Sequence, residues 1–544
     1  PATPTVYRSR AAGAGGARLA RIALWLFLSL LVLYVGVTRG HFIGTDEIAV
    51  YQATRSLWHS GNLSTGELVN TYAGRAGLHY SVFSAGQSVA ALPLYGLSRA
   101  VESALIALDQ PDWVATFAGP GVGREPSRWG GDIGIFFVGL FNTVPVALLC
   151  SVLFAFSLRL GASVRASLFA AGLLGLTSYV VPSAVNFLQH ASESLFLLWT
   201  FYFLFQDARR ADWRPRLLAG ITLALAIALR WESVIAVPWL GLYLLWSVWD
   251  RREADGGIVR AMLRQLPPFV LPLLGGLCVP LLVNWLRWES VIGLYGNVGF
   301  NSPFPVGLYT FLFSSGDSVF LYTPLLILLG RIVPPFVRTW RREAILIAAL
   351  SLFYLFFYAS YRHWHGLWSD LGPRFLIPTV PFLLLPLANW LDAQRPRAWL
   401  LIGPLALIGL WVQFVHIATN FSYVSYYEKY IVPIEEQIPW DFLFLPQRAP
   451  ILAHTRAVFD WDYRVDMWWL NTLRTFGTER ALLITLPLLA CLALCVWRLM
   501  VNLRETTVVF PHADDIDFTP LARPAAFTLG GILVATILAW VLGF

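Results

Sequence analysis

An acidic pair directly after the first hydrophobic segment is the part of this sequence best suited to chemistry. Asp46 and Glu47 stand in residues 44–48, just beyond an apolar run that ends near residue 37. Removing carboxylates from water at the edge of a membrane costs free energy. We therefore expect these two to be in contact with water, paired with a cation, or functional. A general base that removes a proton from a hydroxyl nucleophile is a group of this kind. The alternative is that both acids only stabilise the first turn of a helix, whose amino end favours negative charge.

A second concentration of reactive side chains lies in the segment 361–375, between two apolar runs. Its residues that could bind a sugar ring, a prenyl chain or a phosphate are His363, Trp364, His365, Trp368, Asp370 and Arg374. Indole faces suit sugars and prenyl chains, and a guanidinium can bind a phosphate through two hydrogen bonds. The alternative is an aromatic belt at the membrane interface with Arg side chains that reach toward the headgroups.

The sequence indicates no cofactor and no metal site. His363 and His365 have a spacing that could bind a metal, but no third ligand accompanies them. A divalent ion that assists catalysis stays open.

The elements that must position these residues are helices of a membrane protein. Of the 544 residues, 57% are hydrophobic and only 13% are charged, against about 25% charged in a soluble domain. The net charge of +7 does not point to nucleic acid, because most Arg residues stand in short loops between apolar runs. The expected fold is an all-α integral membrane bundle.

Counting runs of about 20 apolar residues predicts about thirteen transmembrane helices. The predicted spans are 19–37, 133–157, 166–183, 191–206, 217–231, 233–249, 267–285, 318–333, 343–361, 375–391, 398–417, 481–500 and 525–543. With the N-terminus inside, every short basic loop falls on the cytoplasmic side. Asp46 and the segment 361–375 then share the outer face.

The predicted organisation has four parts. Residues 1–18 form a cytoplasmic tail, and 19–417 form the transmembrane core, which includes the long outer loop 38–131. Residues 418–480 form an outer loop rich in aromatic and acidic residues, and 481–544 hold the last spans with a cytoplasmic connector at 504–523.

The outer loop 38–131 is expected to contain two interfacial helices. The first runs from Asp46 to His59 with Thr45 as its cap, and the second covers about 86–108. Ile48, Tyr51, Arg55 and Trp58 fall on one stripe of the first helix, as expected for a helix that lies along a membrane surface.

Four features together resemble the GT-C superfamily of membrane glycosyltransferases. They are the first span with its N-terminus inside, the acidic pair followed by Arg55 and Ser60-Gly61, the segments 83–88 and 91–95, and the late outer-loop segments 364–366 and 372–378. The resemblance is strongest to the bacterial branch related to glycosyltransferase family 39, which includes protein O-mannosyltransferases and lipid A aminoarabinose transferases.

This resemblance implies a GT-C-like bundle in the cytoplasmic (inner) membrane with an active site on the outer face. It further implies an inverting transfer of a hexosyl or pentosyl group from a polyprenyl-phosphate donor, with a glycan, lipid or protein as acceptor and membrane lipids as further partners. Asp46 matches the family's catalytic acidic position and is expected to be the base. Glu47 is the second expected catalytic residue and would position the acceptor or hold Arg55.

Family members often carry a Lys in the first loop that contacts the lipid phosphate. This chain has Arg75 and His79 in that stretch instead, and these two residues and Arg374 are the expected substitutes. We expect His365 to assist Arg374 at the leaving phosphate.

Two other functions stay open. A transporter or flippase for a lipid-linked substrate would show charged or broken sites near the bilayer midplane and a repeated half, and the sequence shows neither clearly. A non-catalytic GT-C-fold subunit of a larger membrane complex is compatible with the absence of the first-loop Lys.

Overall fold

A computed structural model describes most of the chain. The described residues are 4–68, 70–118, 132–210, 212–292, 299–300, 302–361, 372–393, 398–419, 443–459 and 465–504, and for 4–15 the description covers the backbone alone.

The described residues are overwhelmingly helical. The α-helices, in chain order, are α1 (Pro4–Gly36), α2 (Thr45–Ser60), α3 (Gly86–Ala90), α4 (Leu92–Ala107), α5 (Pro111–Ala118), α6 (Ile133–Gly139), α7 (Thr143–Arg159), α8 (Val164–Thr177), α9 (His190–Arg210), α10 (Trp213–Leu229), α11 (Val237–Asp250), α12 (Ile258–Gln265), α13 (Pro267–Trp288), α14 (Phe304–Phe313), α15 (Val319–Tyr322), α16 (Leu329–Thr339), α17 (Arg341–Ser360), α18 (Val380–Leu384), α19 (Leu387–Ala393), α20 (Ala398–Ala418), α21 (Pro450–Phe459), α22 (Trp468–Phe476) and α23 (Thr478–Arg504).

Short 3-10 helices and one small sheet complete the described elements. The 3-10 helices are Arg75–Gly77, Val181–Ala184, Trp231–Ala236, Pro324–Leu328, Arg374–Thr379 and Pro446–Arg448. Strands β1 (Thr71–Ala73) and β2 (His79–Ser81) pair antiparallel, with Thr71 opposite Ser81 and Ala73 opposite His79.

The all-α membrane class is confirmed, whereas the count of thirteen spans is not. Within the described residues, eight helical segments are long and apolar enough to cross a membrane. They are Gly16–Gly36, Ile133–Arg159, Trp231–Asp250, Pro267–Trp288, Arg341–Ser360, Arg374–Ala393, Ala398–Ala418 and Thr478–Arg504.

The other predicted spans differ for identifiable reasons. The helix at 166–183 ends at Thr177, and the stretch 318–333 is divided among α15, a 3-10 turn and α16. The stretch 191–206 lies in α9, which carries Glu193 near its start and Asp207, Arg209 and Arg210 near its end. The predicted span 525–543 lies outside the described residues.

Close helix packing builds the core that holds the outer loops. α10 packs against both α9 and α13, and glycines stand at the contacts with α13. A Cβ added at Gly276 would lie 2.5 Å from the Ala224 Cα, and one added at Gly220 would lie 2.4 Å from the Phe269 carbonyl oxygen. Small residues therefore let these backbones approach closely, as is common between membrane helices.

Buried ion pairs lie inside the bundle. Arg230 is 3.2 Å from Glu193 and 3.5 Å from Glu232, while Asp207 pairs with Arg216 at 2.8 Å and Arg251 at 3.0 Å. In these two clusters each buried charge thus has an opposite partner, which compensates for its removal from water.

Helix α2 agrees with its predicted extent, although its capping residue and its exposed face differ from the prediction. It begins at Thr45 with Gly44, rather than Thr45, at the capping position, and it ends at Ser60, where Gly61 adopts φ 65°. Ile48 and Tyr51 of the predicted surface stripe are buried, whereas Arg55 and Trp58 are exposed. The first half of α2 is therefore enclosed by protein and only its second half presents the stripe outward.

Candidate active site

The turn that leads into α2 is fixed by the carboxylate of Glu47. Its Oε2 accepts hydrogen bonds from the backbone N–H groups of Ile43 (3.0 Å) and Gly44 (2.9 Å), and its Oε1 accepts one from Phe187 N–H (2.7 Å). Only 3% of Glu47 is exposed, and burial raises the pKa of its carboxyl above the ordinary value although these N–H groups oppose the shift. Glu47 therefore binds the turn to the segment before α9.

Asp46 faces the opposite way, into a cavity. Its Oδ2 accepts a hydrogen bond from Arg374 Nη1 at 3.2 Å, and its Oδ1 accepts one from Asn70 Nδ2 at 2.7 Å. The side chains of Asp46 and Arg374 are each 18% exposed, so both can be reached from the cavity. The structure thus brings together the two strongest candidates of the sequence, which stand 328 residues apart.

The cavity lies between the turn before α2, the segment 179–190, the 3-10 helix at Arg374 and the end of α20. It contains about 740 Å³ of empty space, part of which is open to solvent. The polar residues that line it are Arg39, Thr45, Asp46, Glu47, Tyr179, Ser183, Asn186, His190, Arg374 and His416.

Arg39 is a second buried cation of this cavity. Its Nη2 donates hydrogen bonds to the carbonyl oxygens of His416 (2.7 Å) and Thr419 (3.4 Å). Its Nε is buried, and no hydrogen-bond partner for it exists among the described residues. Arg39 is 3% exposed and donates its hydrogen bonds to carbonyl groups, so its charge is not neutralised by a direct ion pair within the described part of the chain.

His190, at the start of α9, adds a further polar group. The residue is 6% exposed, and neither ring nitrogen has a hydrogen-bond partner in the described ranges. Its ring centroid lies 6.0 Å from that of Phe375, the neighbour of Arg374. The cavity therefore presents two guanidinium groups and two imidazoles, those of His190 and His416, beside one accessible carboxylate.

The remaining predicted site residues lie elsewhere or outside the described residues. Arg55 is exposed on α2 and interacts with Tyr95, and Arg75 pairs with Glu289 at 3.7 Å. His79 is in β2 and, like Arg55 and Arg75, does not line the cavity. His363, Trp364, His365, Trp368 and Asp370 lie outside the described residues.

Sequence reasoning missed Arg39, Asn70 and His190. Arg39 had a usable signal, because it is an Arg at the outer end of the first span, where the charge bias of membrane loops does not call for one. His190 opens a helix among polar neighbours, which is a weak signal. Asn70 had none, since Asn is an ordinary residue of turns.

No metal site emerges from the described residues, since they contain no group of three or more His, Cys, Asp or Glu side chains placed to hold an ion.

Comparisons with known proteins give one family match. Residues 121–288 match the model of the family described as PMT, dolichyl-phosphate-mannose-protein mannosyltransferase. No curated protein matches the chain.

Two solved structures of ArnT from Cupriavidus metallidurans are similar to the chain. The apo structure shares 14% identity over 84% of this chain and 76% of that one, with a TM-score of 0.42. The structure bound to undecaprenyl phosphate shares 17% identity over 93% and 78%, with a TM-score of 0.43.

The family match lies between the first-loop motif and the late outer-loop motif, so it is independent of most residues on which the resemblance was based. The chain is therefore a multi-pass, all-α membrane protein whose resemblance to the GT-C membrane glycosyltransferases is confirmed.

Proposed function

We propose that the chain is an integral-membrane glycosyltransferase that moves a sugar from a polyprenyl-phosphate donor to an acceptor hydroxyl at the outer face of the cytoplasmic membrane. The observation that carries the proposal is the Asp46–Arg374 pair in a cavity that also contains Arg39. This set combines a base with two cations, which are the groups that displacement of a phosphate by an alcohol requires.

Asp46 is the proposed general base. Its carboxylate is accessible from the cavity and is held by one hydrogen bond on each oxygen. In the reaction it takes the proton of the acceptor hydroxyl while that oxygen attacks the anomeric carbon of the donor.

Arg374 and Arg39 are the proposed binding groups for the phosphate. The bond between the anomeric carbon and the phosphate oxygen breaks, and its electron pair leaves with the polyprenyl phosphate. Guanidinium groups stabilise the charge that develops on that oxygen and can bind two oxygens at once. Because attack and departure occur on opposite faces of the anomeric carbon, the configuration inverts.

Glu47 has a different role in this proposal. Both of its oxygens accept backbone N–H groups, so it holds the turn that carries Asp46 and is a positioning residue. A part for Arg55, Arg75, His79 or the residues of 363–370 in substrate binding stays a prediction.

The test is sugar transfer by purified protein from a panel of polyprenyl-phosphate sugars. Asp46→Asn keeps the shape of the side chain but removes the base, so we expect transfer to fall by about a hundredfold or more. Asp112→Asn is the matched control, because Asp112 is an exposed outer-loop acid that pairs with Arg480 far along the chain. The configuration of the product, measured by NMR, reports inversion.

Transfer that persists in Asp46→Asn at the wild-type rate would overturn the proposal. Absence of transfer by the wild type from every donor would favour the transporter or subunit alternatives.

A further inference from the structure

The amide of Asn70 is the unexplained partner of the proposed base. Asn70 Nδ2 lies 2.7 Å from Asp46 Oδ1, and the contact links residues from separate elements of the outer loop. Because Arg374 donates to the other oxygen, each of the two carboxylate oxygens of Asp46 accepts a hydrogen bond from a side chain.

The backbone of Asn70 is in a conformation that L-residues rarely adopt. Its φ is 61°, in the left-handed region, where Asn is one of the few side chains that are tolerated. The conformation is held by Val82 N–H, which donates to the Asn70 carbonyl oxygen at 3.1 Å. The Asn70 side chain therefore points toward Asp46 because its backbone is in the left-handed region, a conformation that the local sequence alone would not favour.

The hairpin that starts at Asn70 is in turn anchored to the bundle. Arg287 of α13 is buried, and its Nη1 donates to the carbonyl oxygens of Ser81 (3.0 Å) and Phe83 (2.7 Å). Gly74 lies against the same helix end, where an added Cβ would stand 2.3 Å from the Arg287 carbonyl oxygen. Because β2 pairs with β1, and Asn70 directly precedes β1, the contacts of Arg287 also fix the position of Asn70.

We propose that Asn70 is a positioning residue for the base, which fixes the orientation of the Asp46 carboxylate. The proposal rests on the function proposed above. It gives the β1–β2 hairpin the task of supporting Asn70, and the hairpin supplies no group that touches the reacting atoms. A merely structural role would instead give Asn70 an effect on folding without a fall in the turnover number at nearly unchanged KM.

Two substitutions separate these roles. Asn70→Gly removes the amide and keeps the left-handed backbone, because Gly adopts that conformation without steric cost. We expect the turnover number to fall by about tenfold to a hundredfold with a smaller change in KM, since a base loosened by about 1 Å loses that order of rate. Thermal unfolding should stay close to that of the wild type.

Asn70→Asp is the sharper variant. It replaces the amide donor by a second carboxylate, so the hydrogen bond to Asp46 is lost and the two acids repel one another. The turnover number should therefore fall at least as far as in Asn70→Gly, again with a smaller change in KM. Ala76→Gly is the control for Asn70→Gly, because Ala76 has a similar φ of 58° in the same hairpin and makes no hydrogen bond to Asp46 within the described residues.

The outcomes are distinguishable. A wild-type turnover number in both Asn70 variants, with Asp46→Asn inactive, would overturn the inference and leave the proposed function standing. An active Asp46→Asn, or a wild type that transfers no sugar, would overturn the proposed function and the role of Asn70 with it.

Discussion

Asp46 and Glu47 are neighbours in sequence, yet their surroundings give them different tasks. Consecutive residues of a helix point about 100° apart, so the first turn of α2 sends one carboxylate into the cavity and the other into the protein. Asp46 meets two side-chain donors and open space, whereas Glu47 meets three backbone N–H groups. Only the first arrangement leaves a carboxylate that a substrate can reach.

The task of Glu47 can be tested by stability. In Glu47→Gln an amide NH₂ replaces one oxygen, so at least one backbone N–H of Ile43, Gly44 or Phe187 faces a donor and loses its acceptor. We expect a loss of about 1–3 kcal/mol, seen as a melting temperature lower by several degrees in detergent.

Glu67→Gln is the matched control for that measurement, since Glu67 is an exposed acid of the same outer loop. If both variants melt with the wild type, the three hydrogen bonds of Glu47 do not stabilise the turn.

At the scale of elements, the short segment 38–42, which follows α1, contacts the loop 418–480 at its start and again near residue 468. Trp468 N–H donates to the Thr38 carbonyl oxygen at 2.9 Å, and Asp466 N–H donates to the Ala418 carbonyl oxygen at 2.8 Å. His41 Nε2 lies 3.0 Å from Asp466 Oδ1, which also accepts from Asn471. The same segment carries Arg39 and leads to Asp46, so the loop ends and the cavity share one support.

The His41–Asp466 pair should make this support depend on pH. Burial is the largest single influence on His41 and lowers its pKa. The charge of Asp466 and the hydrogen bonds to Asp466 and to the Phe42 carbonyl oxygen together outweigh burial, so the pKa of His41 is raised above its ordinary value. A raised pKa in the folded state means that the pair stabilises fully below about pH 6.5 and loses this contribution as the pH rises through the folded-state value. The melting temperature of the wild type should therefore exceed that of His41→Gln most at low pH.

His59→Gln serves as the comparison across the same pH series, because the His59 ring bonds the Tyr95 hydroxyl rather than a carboxylate. A difference between wild type and His41→Gln that stays constant from pH 6 to pH 9 would contradict the role of the ion pair.

The packing of α10 against α13 offers a test with adjacent residues. Gly276→Ala would place a methyl group 2.5 Å from the Ala224 Cα, so the helices must separate, at a cost of about 1–3 kcal/mol. Gly275→Ala meets nothing within 4 Å and should leave the melting temperature unchanged or slightly raised. Equal melting temperatures for the two variants would show that this contact does not depend on a glycine.

Features that depend on neighbouring residues could be predicted from the sequence, whereas contacts between distant residues could not. Apolar runs and helix-stop signals are local, so the membrane class and the extent of α2 were predictable. Asp46 and Arg374 could each be singled out by their place beside a span, but their contact joins residues far apart and needed the structure. The local sequence does not show that Glu47 and Asp46 have different roles, because the difference depends on which of them is buried. The direction of the Asn70 side chain depends on Val82 and on the distant Arg287, so it could not be predicted either.

At the scale of the whole molecule, the cavity lies at one common end of the helices. Asp46 follows the carboxyl end of α1, and Arg374 opens the candidate span Arg374–Ala393. Arg39 contacts the carboxyl end of α20, and α23 begins shortly after the segment 465–468. The opposite end holds the basic ends of α9 and α11. From the positive-inside rule we therefore predict that the cavity faces the outer side of the membrane.

This orientation can be tested by cysteine labelling in intact cells. The variants are Gln110→Cys in the first outer loop and Glu253→Cys, at a side chain that is 87% exposed between α11 and α12. The four native cysteines are first replaced by Ala, because Cys278 and Cys491 are exposed. A membrane-impermeant maleimide should label Gln110→Cys in intact cells and Glu253→Cys only after permeabilisation. The reverse pattern would place the basic loops outside and the cavity on the cytoplasmic side, and would contradict an outward-facing site.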